Sequence, residues 1–487
     1  MSEFVATGLL TKTRRLHFVG VGGAGMSGIA ELSRKLGFAV SGCDLRRTET
    51  TERLASLGVE ISYGHHPDHV RADHLRAGNL SGSLDAVVIS SAVKFSNPEL
   101  VRARELKIPV IARAEMLGEL LRMARVGVAV AGTHGKTTTT SLIALIMEAA
   151  AMDPTVAVGG NLRSHGANVR LGRGDFMVAE ADESDASFLL LLPTVAVVTN
   201  IDPEHLDHYG NMERVREAYQ SFINRVPFYG VAVLGIDSLD VRGLLPSARK
   251  PVVTYGVAAD ADLRPENITI DGFSTRFEVS HKGAALGTVT IPSPGRHMAL
   301  NGLAAIAVAL ELGISFEVAA NALASFAGIY RRFEVKGEAA GRIVLDDYAH
   351  HPQEVRATLA AARAAFGKRI VAVFQPHRFT RLRDLFDDFI GAFDDADLLY
   401  LLEVYPAGEE PIAGVSVRRL YEALCARGHL EVRYLGDESE PAARIADASA
   451  AGDLIVTLGA GDVYKIGEDI LIALADGAGR EHRGENP

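Results

Sequence analysis

Short apolar runs recur along the chain, each closing on glycine or polar residues and each followed by a helix-like pattern. Leu16–Val19, Phe38–Gly42, Ala86–Ile89 and Val126–Ala131 are the first four. Phe176–Ala179, Thr194–Asn200, Ile343–Leu345, Ile370–Phe374, Leu398–Val404 and Leu454–Leu458 follow. Runs this short, alternating with helical patterns, predict the buried strands of parallel α/β units. Thr139–Met147 reads as the helix after Val126–Ala131. From Asn267 to Ile291 the pattern changes to alternation, as in Thr288–Ile291, which predicts small antiparallel strands. A long apolar helix is expected from Gly295 through Leu312, and strand-then-helix order restarts after 328–334. The expected fold class is α/β in three domains: a Rossmann-like domain over 1–124, a central α/β domain with small added β-strands over 125–328, and a second Rossmann-like α/β domain over 329–487.

The length of 487 residues agrees with about three domains. A net charge of −11 argues against bulk binding to nucleic acid or an anionic membrane. Cys43 and Cys425 alone make no disulfide framework. The longest apolar run, 188–198, contains Pro193 and is shorter than the ~18 residues a membrane span needs. Met1 to Arg15 lacks a charged start followed by an apolar core, so no signal peptide is read and the cytoplasm is the expected location. No internal repeat or low-complexity stretch is visible.

Candidate chemistry gathers where the runs end. After Val126–Ala131 comes Gly132-Thr133-His134-Gly135-Lys136-Thr137-Thr138, and strand, glycine loop, Lys-Thr and helix form a phosphate-loop arrangement. Glycines let backbone N–H groups turn around an anion, and the helix N-terminus adds partial positive charge. Lys136 can neutralise the outer phosphates of a bound nucleotide, and the Thr137 hydroxyl can ligate Mg²⁺. Val130 replaces the usual first glycine, so the motif is the short form GxxGK[ST]. Nearer the N-terminus, Gly20-Val21-Gly22-Gly23-Ala24-Gly25-Met26 contains GxGxxG, with Asp44 following the second strand, Phe38–Gly42. This fingerprint predicts a diphosphate-bearing ligand, with Asp44 accepting from a hydroxyl or a base edge. Ser90 and Ser91 end a strand and suit either a ligand crevice or a helix cap. His65 and His66 suit either a ligand contact or a surface pair.

Further on, Glu180, Asp182, Glu183 and Asp185 follow one strand, and Asp202, Glu204, His205, Asp207 and His208 follow another. Acids and histidines beside a bound triphosphate suit metal-assisted phosphoryl transfer. The polar, glycine-rich stretch from Gly159 to Asn168, with Asn161 in it, suits a substrate loop. Asn301, early in its helix, suits either a base contact or a cap. The C-terminal strands end instead in histidines, arginines and acids, from Asp346 to Pro352 and from Gln375 to Arg381.

Taken in order, the sequences at 17–28, 132–138, 180–185, 202–209, 331–334, 346–352 and 375–381 resemble those of the Mur ligases, over about residues 15–465. The resemblance implies one domain for a UDP-sugar, one for ATP and one that closes the site. It implies that ATP phosphorylates the lactyl carboxylate of UDP-N-acetylmuramate and that the amine of L-alanine attacks the acyl phosphate, in peptidoglycan precursor synthesis. These small molecules would be the partners, with no nucleic acid or membrane, for a monomer or homodimer. By resemblance, Lys136 holds the γ-phosphate, Thr137 a first Mg²⁺, and Glu180 and His205 a second metal site, for Mg²⁺ or Mn²⁺. Gly132 to Thr138, Asn301, Arg332 and Asp347 match ATP contacts. Gly20, Gly22, Gly23, Ala24, Gly25, Met26, Asp44, His65, Ser91 and Asn161 are the candidates for the UDP-sugar. Tyr348, His350, His377, Arg378 and Arg381 match the amino-acid region, with Arg378 or Arg381 to clamp a carboxylate and His350 or His351 to take the amine proton.

Two departures bear on the branch. Met298 stands where the family often has a second asparagine, and no lysine lies between Glu183 and His205, where members adding later residues carry a carbamoylated lysine near the second metal. The second departure favours an alanine-adding member. A relative that attaches a ready-made peptide, an NAD-dependent oxidoreductase and a non-catalytic nucleotide switch are the competing readings.

Overall fold

A computed structural model describes residues 15–70, 84–90, 92–159, 168–428, 431–436 and 438–484. Two compact units divide the chain: residues to Asp262 with Ala304–Ala319, and Leu263–Leu303 with Ala320 onward.

The first unit carries two sheets. Its N-terminal sheet is all parallel, in spatial order Glu60–Tyr63, Ala39–Asp44, Arg15–Val19, Ala86–Ile89, Val110–Ala112. Arg15–Val19 is the central strand and pairs Val19 with both Cys43 and Ile89, so the glycine loop, Asp44 and Ser90 emerge at one edge. The second sheet runs Val252–Tyr255, Val231–Gly235, Val195–Val198, Val126–Ala131, Phe176–Glu180, Thr155–Ala157, Val169–Arg170. Only the last pairing among these is antiparallel. Val126–Ala131 is buried between strands that end in Thr199-Asn200 and in Glu180, because parallel register brings their carboxyl ends level. The apolar positions that predicted these strands form the core, where Phe188 packs on Tyr219 and Phe222 at ring-centroid distances of 5.2 and 5.0 Å.

The second unit holds the antiparallel strands Leu263–Asp271, Ser274–His281 and Ala284–Ile291 expected from alternation. It also holds a sheet ordered Glu334–Ala339, Arg342–Asp347, Leu454–Leu458, Ile370–Phe374, Leu398–Leu402, Val432–Gly436. Leu458 pairs with both Asp347 and Phe374, so three strand ends share one edge.

Element ends differ from the pattern in informative ways. The phosphate-loop helix is Lys136–Ala149, beginning ahead of the first apolar turn, because Gly135 in the left-handed region (φ 79°) starts it directly after the loop. The second strand reaches Asp44, whose side chain then faces the glycine loop. The apolar run 188–198 is not one element: a 3₁₀ turn, Ser187–Leu190, precedes Pro193, and the strand is Val195–Val198. Among the described residues no helix is long and apolar enough to cross a membrane.

Candidate active site

Backbone groups build the phosphate loop. Gly132 has φ 131°, and a Cβ there would lie 2.0 Å from Thr199 Oγ1, so only glycine fits. Asn200 fixes the turn by donating from Nδ2 to the His134 carbonyl (3.1 Å) and accepting from the His134 N–H (2.8 Å). Asp202 N–H donates to Thr133 Oγ1 (2.9 Å), and His134 Nε2 lies 3.3 Å from Asp202 Oδ2. Lys136 folds back across the loop, donating to the carbonyls of Gly132 (2.6 Å) and Thr133 (3.1 Å) and to Glu183 Oε1 (2.8 Å).

That ion pair is unequal. Burial works against a charged lysine, but Glu183 and Glu180 outweigh it and hold Lys136 above its ordinary range. Burial dominates at the glutamate: with Asp182 and Glu204 adding to it against the pull of Lys136, Glu183 is pushed up to about 7. Its Oε2 has no hydrogen-bond partner. Glu183, Glu204 and His205 offer donor atoms within 4.8 Å of one another, and His205 is held at φ 56° at the start of the short helix Leu206–Tyr209. Glu180 accepts from the Thr137 hydroxyl (2.8 Å) and from Gly159 N–H (2.7 Å). Carboxylates, a hydroxyl and one imidazole around a phosphate loop are a donor set suited to a hard divalent cation.

The N-terminal glycine loop is tied to Asp44. Gly22 N–H donates to Asp44 Oδ2 (2.9 Å), and a Cβ on Gly22 would be 2.8 Å from that oxygen. Asp44 thus has a part in shaping the loop as well as any in binding a ligand. Gly20 and Val21 N–H both donate to the Cys43 carbonyl (2.9 Å each). Gly23 is the N-cap of the helix Ala24–Lys35, and Met26 is buried in the core. His65 is turned onto buried Glu99, with Nδ1 3.1 Å from Oε2. Ser91 and Asn161 lie outside the described residues.

The two glycine loops, read separately in the sequence, meet in one cavity of about 200 Å³ lined by Gly25, Gly28, Arg113, Asn168, Lys136 and Glu180. Gly28 is needed because a Cβ would lie 2.5 Å from Val169 Cγ2. Arg113, ion-paired to Asp182 (3.1 Å), escaped the sequence reading. It follows Val110–Ala112 directly, so the strand-end rule that exposed the other residues would have found it. A larger groove of about 660 Å³, lined by Glu213, Arg216 and Gln220 among others, contains none of these groups.

In the second unit another cluster forms. His350 Nδ1 lies 2.9 Å from the Tyr348 carbonyl, so Nδ1 carries the hydrogen and Nε2 is the basic nitrogen. The rings of His350 and His377 are 5.9 Å apart, and His377 stacks on Tyr405 at 5.6 Å and 8°. Arg381 Nη1 donates to the His377 carbonyl (3.1 Å). Arg378, at φ 71°, lies with Nε 3.9 Å from Glu409 Oε1. Tyr405 was not singled out in the sequence; it lies beyond the end of Leu398–Leu402, where an isolated bridge pairs it with His377.

Paired candidates separate here. His351 is buried and caps the helix Pro352–Phe366, accepting from Gln353 N–H, whereas His350 faces the cluster. Arg331 bonds to buried Asp346 (3.0 Å) and to the carbonyls of Gly459 (2.6 Å) and Gly461 (3.0 Å). Arg331 and Arg332 both lie over the Tyr348 ring, at 5.0 and 5.2 Å, but only Arg331 is bonded to Asp346. Asp347 accepts from Phe333 and Ala349 N–H, yet burial prevails over these and over Arg332 and pushes it up to about 6. Asn301 is buried in the second turn of Arg296–Glu311, one turn beyond buried Met298.

Parallel sheets with a glycine-cradled lysine at a strand end define a phosphate-loop nucleotide-binding α/β protein. The chain belongs to the Mur ligase family: residues 15–125 match "Mur ligase family, catalytic domain", 130–309 "Mur ligase middle domain" and 331–461 "Mur ligase, glutamate ligase domain". It is 52% identical over 464 residues to a UDP-N-acetylmuramate–L-alanine ligase of Geobacter sp. strain M21, covering 95% of this chain and 98% of that protein. A protein of the same name from Anaeromyxobacter dehalogenans strain 2CP-C is also 52% identical, with the same coverage. The crystal structure of UDP-N-acetylmuramate-alanine ligase from Thermotoga maritima superposes with a TM-score of 0.75 at 28% identity, over 97% of this chain and 100% of that one. A murein peptide ligase from Psychrobacter arcticus shares the fold, with a TM-score of 0.67 at 24% identity over 95% of this chain and 99% of that one.

Proposed function

We propose that this protein is an ATP-dependent ligase joining L-alanine to the lactyl carboxylate of UDP-N-acetylmuramate, a step in peptidoglycan precursor synthesis. One observation carries the reading: Lys136 of the phosphate loop borders the same cavity as Gly25, Gly28 and Arg113. A triphosphate on one loop and a sugar nucleotide on the other can bring their reacting ends together there. Near-full-length identity of about half to proteins of that name supports the choice of substrates.

A carboxylate is a poor electrophile, and phosphorylation gives it a leaving group. A lactyl carboxylate oxygen bonds to the γ-phosphorus, the bridging P–O bond breaks, and ADP leaves. Lys136 exchanges Glu183 for the γ-phosphate, carrying its charge to the developing transition state. The alanine nitrogen then bonds to the acyl carbon, the carbon–oxygen bond to phosphate breaks, and His350 Nε2 takes the amine proton. Arg378 or Arg381 clamps the alanine carboxylate, and Tyr348 and His377 shape that region. Asn301 contacts the adenine, and Arg332 and Asp347 contact ATP.

Thr137 would hold one Mg²⁺ or Mn²⁺ and Glu180 with His205 a second, with Glu183 and Glu204 beside His205 as further donors. Bound there, the cation would neutralise phosphate charge. We read 1–124 as the sugar-nucleotide domain, 125–328 as the ATP domain and 329–487 as the domain that closes on them. Both nucleotide substrates are charged and water-soluble, and we place the reaction in the cytoplasm.

The test is phosphate release from ATP with UDP-N-acetylmuramate and a panel of L-alanine, glycine, L-serine and a tripeptide. L-Alanine should give the highest kcat/KM. Release with the tripeptide alone would assign the peptide-attaching reaction instead, and nicotinamide turnover without phosphate release would assign the oxidoreductase.

A further inference from the structure

A buried cluster behind the N-terminal glycine loop has no place in the chemistry above. Glu99, in the helix Pro98–Glu105, is fully buried and anionic: burial favours its neutral form, but contacts with His17, Cys43 and His69 outweigh it and bring it to about 2. Cys43 Sγ is 3.0 Å from Glu99 Oε2 and 3.4 Å from His65 Nδ1, and His65 Nδ1 is 3.1 Å from Glu99 Oε2. His17 Nε2 points into the same group, 3.8 Å from Glu99 Oε1, with only 1% of the residue exposed and no hydrogen-bond partner for that nitrogen. Its other nitrogen, Nδ1, is 2.9 Å from Ser41 Oγ. His69 Nδ1 lies 2.5 Å from Glu99 Oε1.

We propose that His17 Nε2, Cys43 Sγ, a Glu99 carboxylate oxygen and His65 Nδ1 bind one zinc ion, with Ser41 and His69 orienting His17 and Glu99 from the outer shell. Several observations support this. Cys43 Sγ, His65 Nδ1 and Glu99 Oε2 lie 3.0–3.4 Å apart, and His17 Nε2 joins Cys43 and Glu99 in a group whose ligand atoms lie within 4.8 Å of one another, so side-chain shifts of about 1 Å bring the four to the ~3.3–3.8 Å separations of tetrahedral Zn²⁺. A mixed sulfur, imidazole and carboxylate set matches a borderline-soft ion better than Mg²⁺ or Ca²⁺. Imidazole hydrogen-bonded through its far nitrogen, and a ligating carboxylate hydrogen-bonded through its other oxygen, are the usual outer shell of such a site. His65 is partly exposed and gives the ion a way in. Binding displaces the proton that Cys43 now donates to Glu99, so affinity rises with pH.

The ion would sit one peptide away from Asp44, and the Cys43 carbonyl already holds Gly20 and Val21. Zinc here would brace the strands under the glycine loop; it would take no part in phosphoryl transfer.

The test uses the full chain, stripped with a chelator and reloaded with Zn²⁺ or Co²⁺. About one ion per chain should bind. Co²⁺ should give thiolate-to-metal charge-transfer absorption that Cys43→Ser abolishes and Cys425→Ser retains. His17→Ala should weaken binding about 10–100-fold or more. Absence of stoichiometric metal, or a cobalt band that survives Cys43→Ser, would overturn the proposal and leave a metal-free thiol–carboxylate–imidazole network.

Discussion

The phosphate loop of the first unit and the histidine–arginine cluster of the second are made of different material. In the loop, backbone groups do the holding: Lys136 rests on two carbonyls, Asn200 ties down one peptide, and Gly132 leaves room for Thr199. The cluster is held by side chains, through His377 on Tyr405, Arg332 over Tyr348 and Arg331 clasping Asp346. A site built from backbone depends on a few glycines and one charge. One built from side chains mixes residues that do chemistry with neighbours that only support them. Adjacent identical residues, 331 with 332 and 350 with 351, therefore have unlike surroundings.

Five substitutions probe that contrast. Lys136→Ala should cut amino-acid-dependent phosphate release about 10³-fold while leaving the fold intact, because one charge on a preorganised loop does most of the work. A loss below tenfold in steady-state turnover would break the comparison on the loop side. Arg331→Met strands a fully buried Asp346 and should cost roughly 3 kcal/mol of stability in denaturant unfolding. Arg332→Met should leave the unfolding midpoint nearly unchanged and raise KM for ATP.

His350→Gln should lower kcat about 10²-fold with little change in KM for ATP, measured by phosphate release at saturating alanine. The smallest effect is expected at His351→Ala, which removes a helix cap and should cost about 1 kcal/mol in thermal unfolding. If His351→Ala instead lost turnover while His350→Gln retained it, the roles of the two histidines would be exchanged. The first-unit acids add a pH test. Glu183, at about 7, is protonated below neutrality and then repels phosphate less, while Lys136 stays charged throughout. ATP affinity in the absence of metal should therefore fall as pH rises from about 6 to 8 in equilibrium titrations, and Glu183→Gln should flatten that slope.

Much of the fold was legible because parallel strands buried on both faces are written as apolar runs, and their ends as polar clusters. Lys136 and Thr137 were legible for a related reason: a loop that wraps an anion with its own backbone needs glycines at fixed spacing. The partners of Arg113, Tyr405 and Glu99 were not legible, since they are supplied by elements distant in sequence.

The sequence by itself determined the α/β class, the phosphate loop and the glycine fingerprint, because each depends on periodicity or spacing within a few dozen residues, and the family, through the order of such motifs along residues 15–465. Tertiary structure alone decided that Gly28 and Lys136 line one cavity, that Glu183 holds Lys136, that His351 caps a helix while His350 faces its neighbours, and that His17, Cys43, His65 and Glu99 converge. Strand order sets those meetings, and strand order is fixed by how helices and sheets bury their apolar faces together, which no local stretch of residues records.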